Sequence, residues 1–144
     1  MANKNIYEIF DAFKAEKTKK GRVEILQKND NYALRNVLLG TFHPNIQFLV
    51  KSVPDFRREK IPQGMSYNHM TDALSKIYLF MKDNLKAPPN LTDKRRVELL
   101  TQLLESLEER EADVYLGMLN KNLNVPYLTE ALVNEAFPGL LPQS

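Results

Sequence analysis

The sequence predicts an all-α fold: a compact single-domain helical bundle of about seven helices, covering residues 1–144. Three observations carry that reading. Apolar residues recur at i, i+3, i+4 and i+7 through most of the chain, the period of a helix with one buried face. The breaks between these stretches are short and rich in Gly, Pro, Asn and Asp, the usual helix stops and starts. A chain of 144 residues, 43% apolar and 26% charged, is long enough for one domain with its own core.

Ile6, Ile9, Phe10 and Phe13 make the stripe of a first helix. The stretch TKKGRVEILQKND reads as a turn at Gly21 that continues helical through Val23 and Leu26. Asn29 or Asp30 is placed to cap the next helix, whose face is Leu34, Val37 and Leu38 and which Gly40 and Pro44 stop. The segment NIQFLVKSV, residues 45–53, fits a short strand and a buried helical turn equally well. PDFRREKIPQGMS reads as a loop.

Met70, Leu74, Ile77 and Met81 align on a further helix, widened by Ala73 and Phe80 and broken by KAPPN. Thr92 or Asp93 caps the next, with Val97, Leu100, Leu103, Leu104 and Leu107 on its buried face. Ala112, Tyr115, Leu116, Leu119 and Leu123 form another stripe. A last short helix takes in Leu128, Ala131, Leu132 and Ala136 before Pro138-Gly139 ends it. There is no internal repeat and no low-complexity tract.

No apolar run approaches the roughly 18–20 residues that span a bilayer, so no membrane partner is expected. The start, MANKNIYEIF, lacks the pattern of a secretion signal, and cysteine is absent. Both fit a cytoplasmic location.

Signals of catalysis are missing as well. His43 and His69 have no ligand-spaced neighbours, no phosphate-cradling glycine loop occurs, and no histidine is placed to activate a serine. The carboxylates of LLESLEEREAD read as an exposed helix face with Arg110 among its partners. The expectation is a protein that is not an enzyme and needs no cofactor or metal.

Charge is distributed unevenly. Residues 1–100 hold eighteen Lys and Arg against eleven Asp and Glu, a net +7, whereas residues 101–144 hold two against seven, a net −5. Three basic clusters stand out: Lys17, Lys19, Lys20 and Arg22 at a helix junction, Arg57, Arg58 and Lys60 in a loop, and Lys94, Arg95 and Arg96 in a first helical turn. Cations there oppose the helix macrodipole, yet a helix amino end with positive side chains suits a phosphate. Tyr67, Tyr78 and Phe56 are too scattered for a base-stacking platform, which favours duplex DNA or protein partners over single strands.

Two stretches carry a family resemblance: GRVEILQKNDNYALRNVLLGTFHPNIQFLVKSVP and EADVYLGMLNKNLNV…EALVNEAFPGLLP. Together they resemble the amino-terminal, all-helical DNA-binding domain of T-even-type phage ATP-dependent DNA ligases, over roughly residues 5–142. The LNKNL turn and the PGLLP close are the most specific parts. The resemblance implies backbone contacts to duplex DNA without sequence reading, with Lys121 and Asn122 of the LNKNL turn as phosphate contacts. Asn124-Val125-Pro126 stands where the family has a small Gly-containing turn, and Glu135 where it has a basic residue. In a ligase the Pro-Gly-Leu-Ile-Pro segment leads into the catalytic domain, whereas Ser144 ends this sequence and no Asp-Gly dipeptide occurs in it. The expectation is therefore a stand-alone, non-catalytic, sequence-independent duplex DNA-binding protein, an accessory of replication or repair in a tailed phage. The competing expectation is a protein-interaction module on the same fold, docking on phage or host replication or transcription machinery.

Overall fold

The stripe that opens the chain becomes α1 (Ile6–Ala15) in a computed structural model, and Ile6, Ile9, Phe10 and Phe13 are all buried. The structure describes residues 6–44, 46–50, 65–82, 86–107 and 109–141, with residues 65–69 described by backbone alone. The next break falls at Thr18 rather than at Gly21. Thr18 adopts an extended backbone and its hydroxyl oxygen accepts the Gly21 amide at 3.0 Å, so Gly21 sits in the first turn of α2 (Lys19–Lys28). A threonine that satisfies an orphan amide starts a helix more strongly than a nearby glycine interrupts one.

Helix α3 (Tyr32–Phe42) is capped by Asn31, whose side chain accepts from Leu34 N–H at 2.8 Å, and not by Asn29 or Asp30. Asn29 instead closes α2, and Asp30 pairs with Arg35 at 2.8 Å. Gly40 does not stop α3. It lies buried inside the helix, where an added Cβ would stand 2.7 Å from the Met118 sulfur. Its missing side chain is what lets α3 approach α6 so closely. The helix ends at Phe42, ahead of Pro44.

Residues 46–50 form neither a strand nor a helical turn. Phe48 makes one antiparallel bridge with Met81, flanked by Leu49 N–H to Phe80 O and Lys82 N–H to Gln47 O, both 2.8 Å. Phe48 and Val50 alternate inward as in a strand. Residues 51–53, and residues 54–64 of the loop, lie outside the described residues.

The helix read through Met81 is α4 (Met65–Ser75) followed by a 3-10 turn over Ile77–Phe80. Ser75 Oγ donates to Asp72 O at 2.6 Å, a local bond that competes with helical continuation. Met70, Ala73, Leu74 and Phe80 are buried as the spacing predicts. Helix α5 (Asp93–Glu105) starts at Thr92, and α6 (Glu109–Leu119) and α7 (Glu130–Ala136) complete seven α-helices among the described residues.

Helix α6 is the hub. It packs on α1, α3 and α5, while α3 also packs on α4 and α2 lies between α1 and α7. Tyr115 of α6 is fully buried; its hydroxyl donates to Ala73 O at 3.1 Å, and burial pushes the phenol pKa up. In α7 the buried face is Leu132, Val133 and Ala136; Ala131 is exposed and Leu128 is buried ahead of the helix. The tail folds back through buried Phe137 and Leu141.

Candidate nucleic-acid interface

The three basic clusters meet different fates. Arg57, Arg58 and Lys60 lie outside the described residues. Lys17, Lys19, Lys20 and Arg22 gather at the amino end of α2, which has no acidic residue in its first turn. Lys94, Arg95 and Arg96 open α5, which packs chiefly on α6, whereas α2 packs chiefly on α1 and α7.

At α5 the two arginines are taken up close to home. Arg95 bonds Glu98 at 3.0 Å, and Arg96 bonds Asp93 at 2.9 Å and the Leu79 carbonyl at 3.3 Å. The Arg96 side chain is 15% exposed and bolts α5 to the 3-10 turn. Lys94 is exposed.

At α2 the cations reach across to another element. Lys19 and Arg22 are one helical turn apart and share a face. Lys19 Nζ lies 3.3 Å from Glu135 of α7, so that acidic residue neutralises one lysine. The Arg22 guanidinium carbon sits 3.9 Å from the centroid of the Tyr127 ring, a stacked cation–π contact. Its Nε is buried with no hydrogen-bond partner among the described residues. Lys17 and Lys20 are exposed and make no ion pair among the described residues.

Tyr127 escaped the sequence reading. It is the third residue of a turn over residues 125–128: Pro126 stands second, Leu128 N–H bonds Val125 O at 3.2 Å, and Tyr127 has φ +69°. That is the pattern of a type II turn, whose third position ordinarily takes Gly or Asn. Nothing in the dipeptide Pro-Tyr announces a left-handed tyrosine, so sequence pattern alone carried no signal for it.

Lys121 and Asn122 part company. Lys121, at φ +60°, closes α6 in a Schellman arrangement: its N–H bonds Met118 O at 3.0 Å and Asn122 N–H bonds Gly117 O at 2.9 Å. Its ammonium donates to His43 O at 2.8 Å and lies 5.7 Å from the Phe48 ring centroid. A cation at the carboxy end of α3 complements that helix, and partial burial lowers the lysine pKa. Lys121 thus ties α6 to α3. Asn122 faces a groove of about 600 Å³ between α1 and α6, together with Asn120, Asn124, Tyr7, Asp11 and Arg110.

That groove corrects the reading of LLESLEEREAD as an exposed acidic face. Glu111 is fully buried and accepts the Tyr7 amide at 3.1 Å, which places a carboxylate at the amino end of α1. Arg110 bonds Asp11 at 2.7 Å across the groove and stacks 4.6 Å from the Tyr7 ring centroid. Its opposite charges cancel, so the groove lacks the field that draws a phosphate backbone.

A model for a family described as a family of unknown function, DUF6433, matches residues 9–125. The match takes in the α2 cluster and the LNKNL turn, and stops before Tyr127 and α7. No curated protein matches the chain.

Proposed function

The chain belongs to the DUF6433 family, and from the geometry of the α2–α7 face we propose that it is a non-catalytic, sequence-independent duplex DNA-binding protein. One observation carries the proposal: Lys17, Lys19, Lys20 and Arg22 lie at a helix amino end whose first turn supplies no acidic residue, the one carboxylate against it being that of Glu16, ahead of the helix beside Gly21. The helix dipole and the exposed Lys17 and Lys20 ammonium groups there favour a phosphate. The resemblance to ligase DNA-binding domains supports the same partner, and a cytoplasmic site of action goes with it.

The footprint is smaller than the sequence expectation. Lys121 is tied to His43, and Arg95 and Arg96 are paired within their own helix. Among the described residues Lys17 and Lys20 remain, about two phosphate contacts, for a log–log salt slope of about −1.8. Duplex affinity therefore falls about twelvefold between 50 and 200 mM salt. Fluorescence anisotropy with plain and nicked duplex reads this directly. No binding at micromolar protein in low salt would sink the proposal.

A second reading has its own support. The Lys19–Glu135, Arg95–Glu98 and Arg96–Asp93 pairs neutralise cations that a DNA-binding surface would leave open. On that reading the chain is a protein-interaction module for replication or transcription machinery. Recovery of one defined partner in a pulldown that survives nuclease treatment separates it from the first.

A further inference from the structure

Tyr127 is 66% exposed although one face of its ring is covered by the Arg22 guanidinium at 3.9 Å. A ring covered on one side and still two-thirds exposed presents its other face to solvent. The chain holds it there against local preference, since a left-handed φ of +69° disfavours a bulky side chain. Pro126 presets the turn and the Leu128-to-Val125 bond closes it, so the surrounding structure imposes the conformation. Packing does not explain the choice of tyrosine: the ring fills no core, and glycine would sit in this turn without strain.

A flat aromatic ring stacked on Arg22, one helical turn from Lys19 on the same basic helix end, combines the two parts of a single-strand contact, a stacking face and cations for the adjoining phosphates. We infer that Tyr127, backed by Arg22, is a stacking platform for one unpaired nucleobase, so that the α2–α7 face takes DNA in which a duplex adjoins an unpaired nucleotide. The inference rests on the DNA-binding reading and sharpens its substrate class. Arg22 backs the ring and draws its π density downward, which favours stacking of an electron-rich base on the open face.

Two hairpin duplexes test this, one blunt and one with a five-nucleotide overhang carrying 2-aminopurine at its first unpaired position. The overhang hairpin should bind at least roughly fivefold more tightly than the blunt one, with quenched 2-aminopurine fluorescence. Tyr127→Gly should erase that preference and the quenching, keep blunt-hairpin affinity within about twofold, and leave the melting temperature unchanged or higher because the turn is relieved. Tyr127→Phe should retain the preference. Equal affinity for the two hairpins, or a preference that survives Tyr127→Gly, overturns the stacking platform while leaving duplex binding standing. If neither hairpin binds in low salt, the parent reading and the platform fall together, as they would if the ring engaged a polypeptide instead.

Discussion

Helices α2 and α5 both begin at a threonine whose hydroxyl accepts the amide three residues on, Gly21 at 3.0 Å and Arg95 at 3.1 Å. Both carry cations in the first turn, where positive charge opposes the macrodipole. They differ in where the opposing charge comes from. Helix α5 supplies Asp93 and Glu98 from its own sequence, so two of its three cations close locally. Helix α2 has no acid in its first turn and sends Lys19 to Glu135 and Arg22 to Tyr127, both far along the chain. A basic run that neutralises itself is part of the scaffold. One that must borrow partners leaves cations over, here Lys17 and Lys20, and those can meet a ligand.

The largest expected effect tests that contrast in binding. Lys17→Glu with Lys20→Glu removes two phosphate contacts and adds repulsion, so duplex affinity should drop about a hundredfold and the salt slope should flatten by about 2. Lys94→Glu, the same reversal at α5, should change affinity less than about twofold. Anisotropy titrations at two salt concentrations measure both. Equal losses at the two ends would erase the distinction between scaffold and ligand cations.

Stability should show the reverse ranking. Arg96→Ala strips a mostly buried guanidinium of its bonds to Asp93 and Leu79 O, and should cost about 1.5 kcal/mol in urea unfolding with DNA affinity unchanged. Lys20→Ala, at an exposed position, should stay within about 0.5 kcal/mol of the parent.

Much of this contrast was legible in the sequence, and the reason it was not wholly legible is physical. Asp93 and Glu98 lie three residues from their arginines, inside the range that helical periodicity reports. Thr92 was among the expected caps, and the stripes of α1 and α3 lie buried where their spacing puts them, as does that of α5 except for the half-buried Val97. Contacts between distant segments carry no such period. Lys19 with Glu135, Arg110 with Asp11 and Glu111 with the Tyr7 amide join residues about a hundred positions apart or more, and only the packing of α2 on α7 and α1 on α6 creates them. Backbone conformation was hidden for a related reason. Gly40 reads as a stop, but the tight approach of Met118 makes it a packing residue. Lys121, Asn124 and Tyr127 all adopt left-handed backbone that glycine would have signalled.

The carboxy end of α2 sharpens the comparison through pH. The Arg35 guanidinium holds the Asp30 carboxyl below its ordinary value, and Arg110 does the same for Asp11. A carboxylate whose pKa is lower in the fold than in the unfolded chain adds stability above the unfolded value near 4, lost as pH falls through the folded pKa. Both pairs are solvent-exposed, so each should contribute only about 0.5 kcal/mol. Urea midpoints followed from pH 6 to pH 3 should fall less steeply in Asp30→Asn than in the parent. An identical acid limb would show that the Arg35 pair adds no stability.

The smallest expected effect isolates the first turns themselves. Thr18→Ala and Thr92→Ala each remove a hydroxyl that accepts one amide, and each should cost about 1 kcal/mol. The two losses should not be equal. In α5 the Asp93 carboxylate remains at the first helical position and continues to offset the exposed amides, whereas the first turn of α2 carries lysines and has only Glu16, from ahead of the helix, beside Gly21. Thr18→Ala should therefore be the costlier by about 0.3 kcal/mol, a margin that shrinks in high salt as the charges are screened. Placing an acid at α2 by Lys20→Asp in the Thr18→Ala background, which leaves the Lys19–Glu135 pair intact, should recover that margin, because it gives the first turn of α2 a carboxylate as in α5. It should also weaken duplex binding, since the change that completes the first turn electrostatically is the one that removes its field for phosphate. Recovery of stability with unaltered DNA affinity would show that the cations of α2 serve the fold and not a ligand.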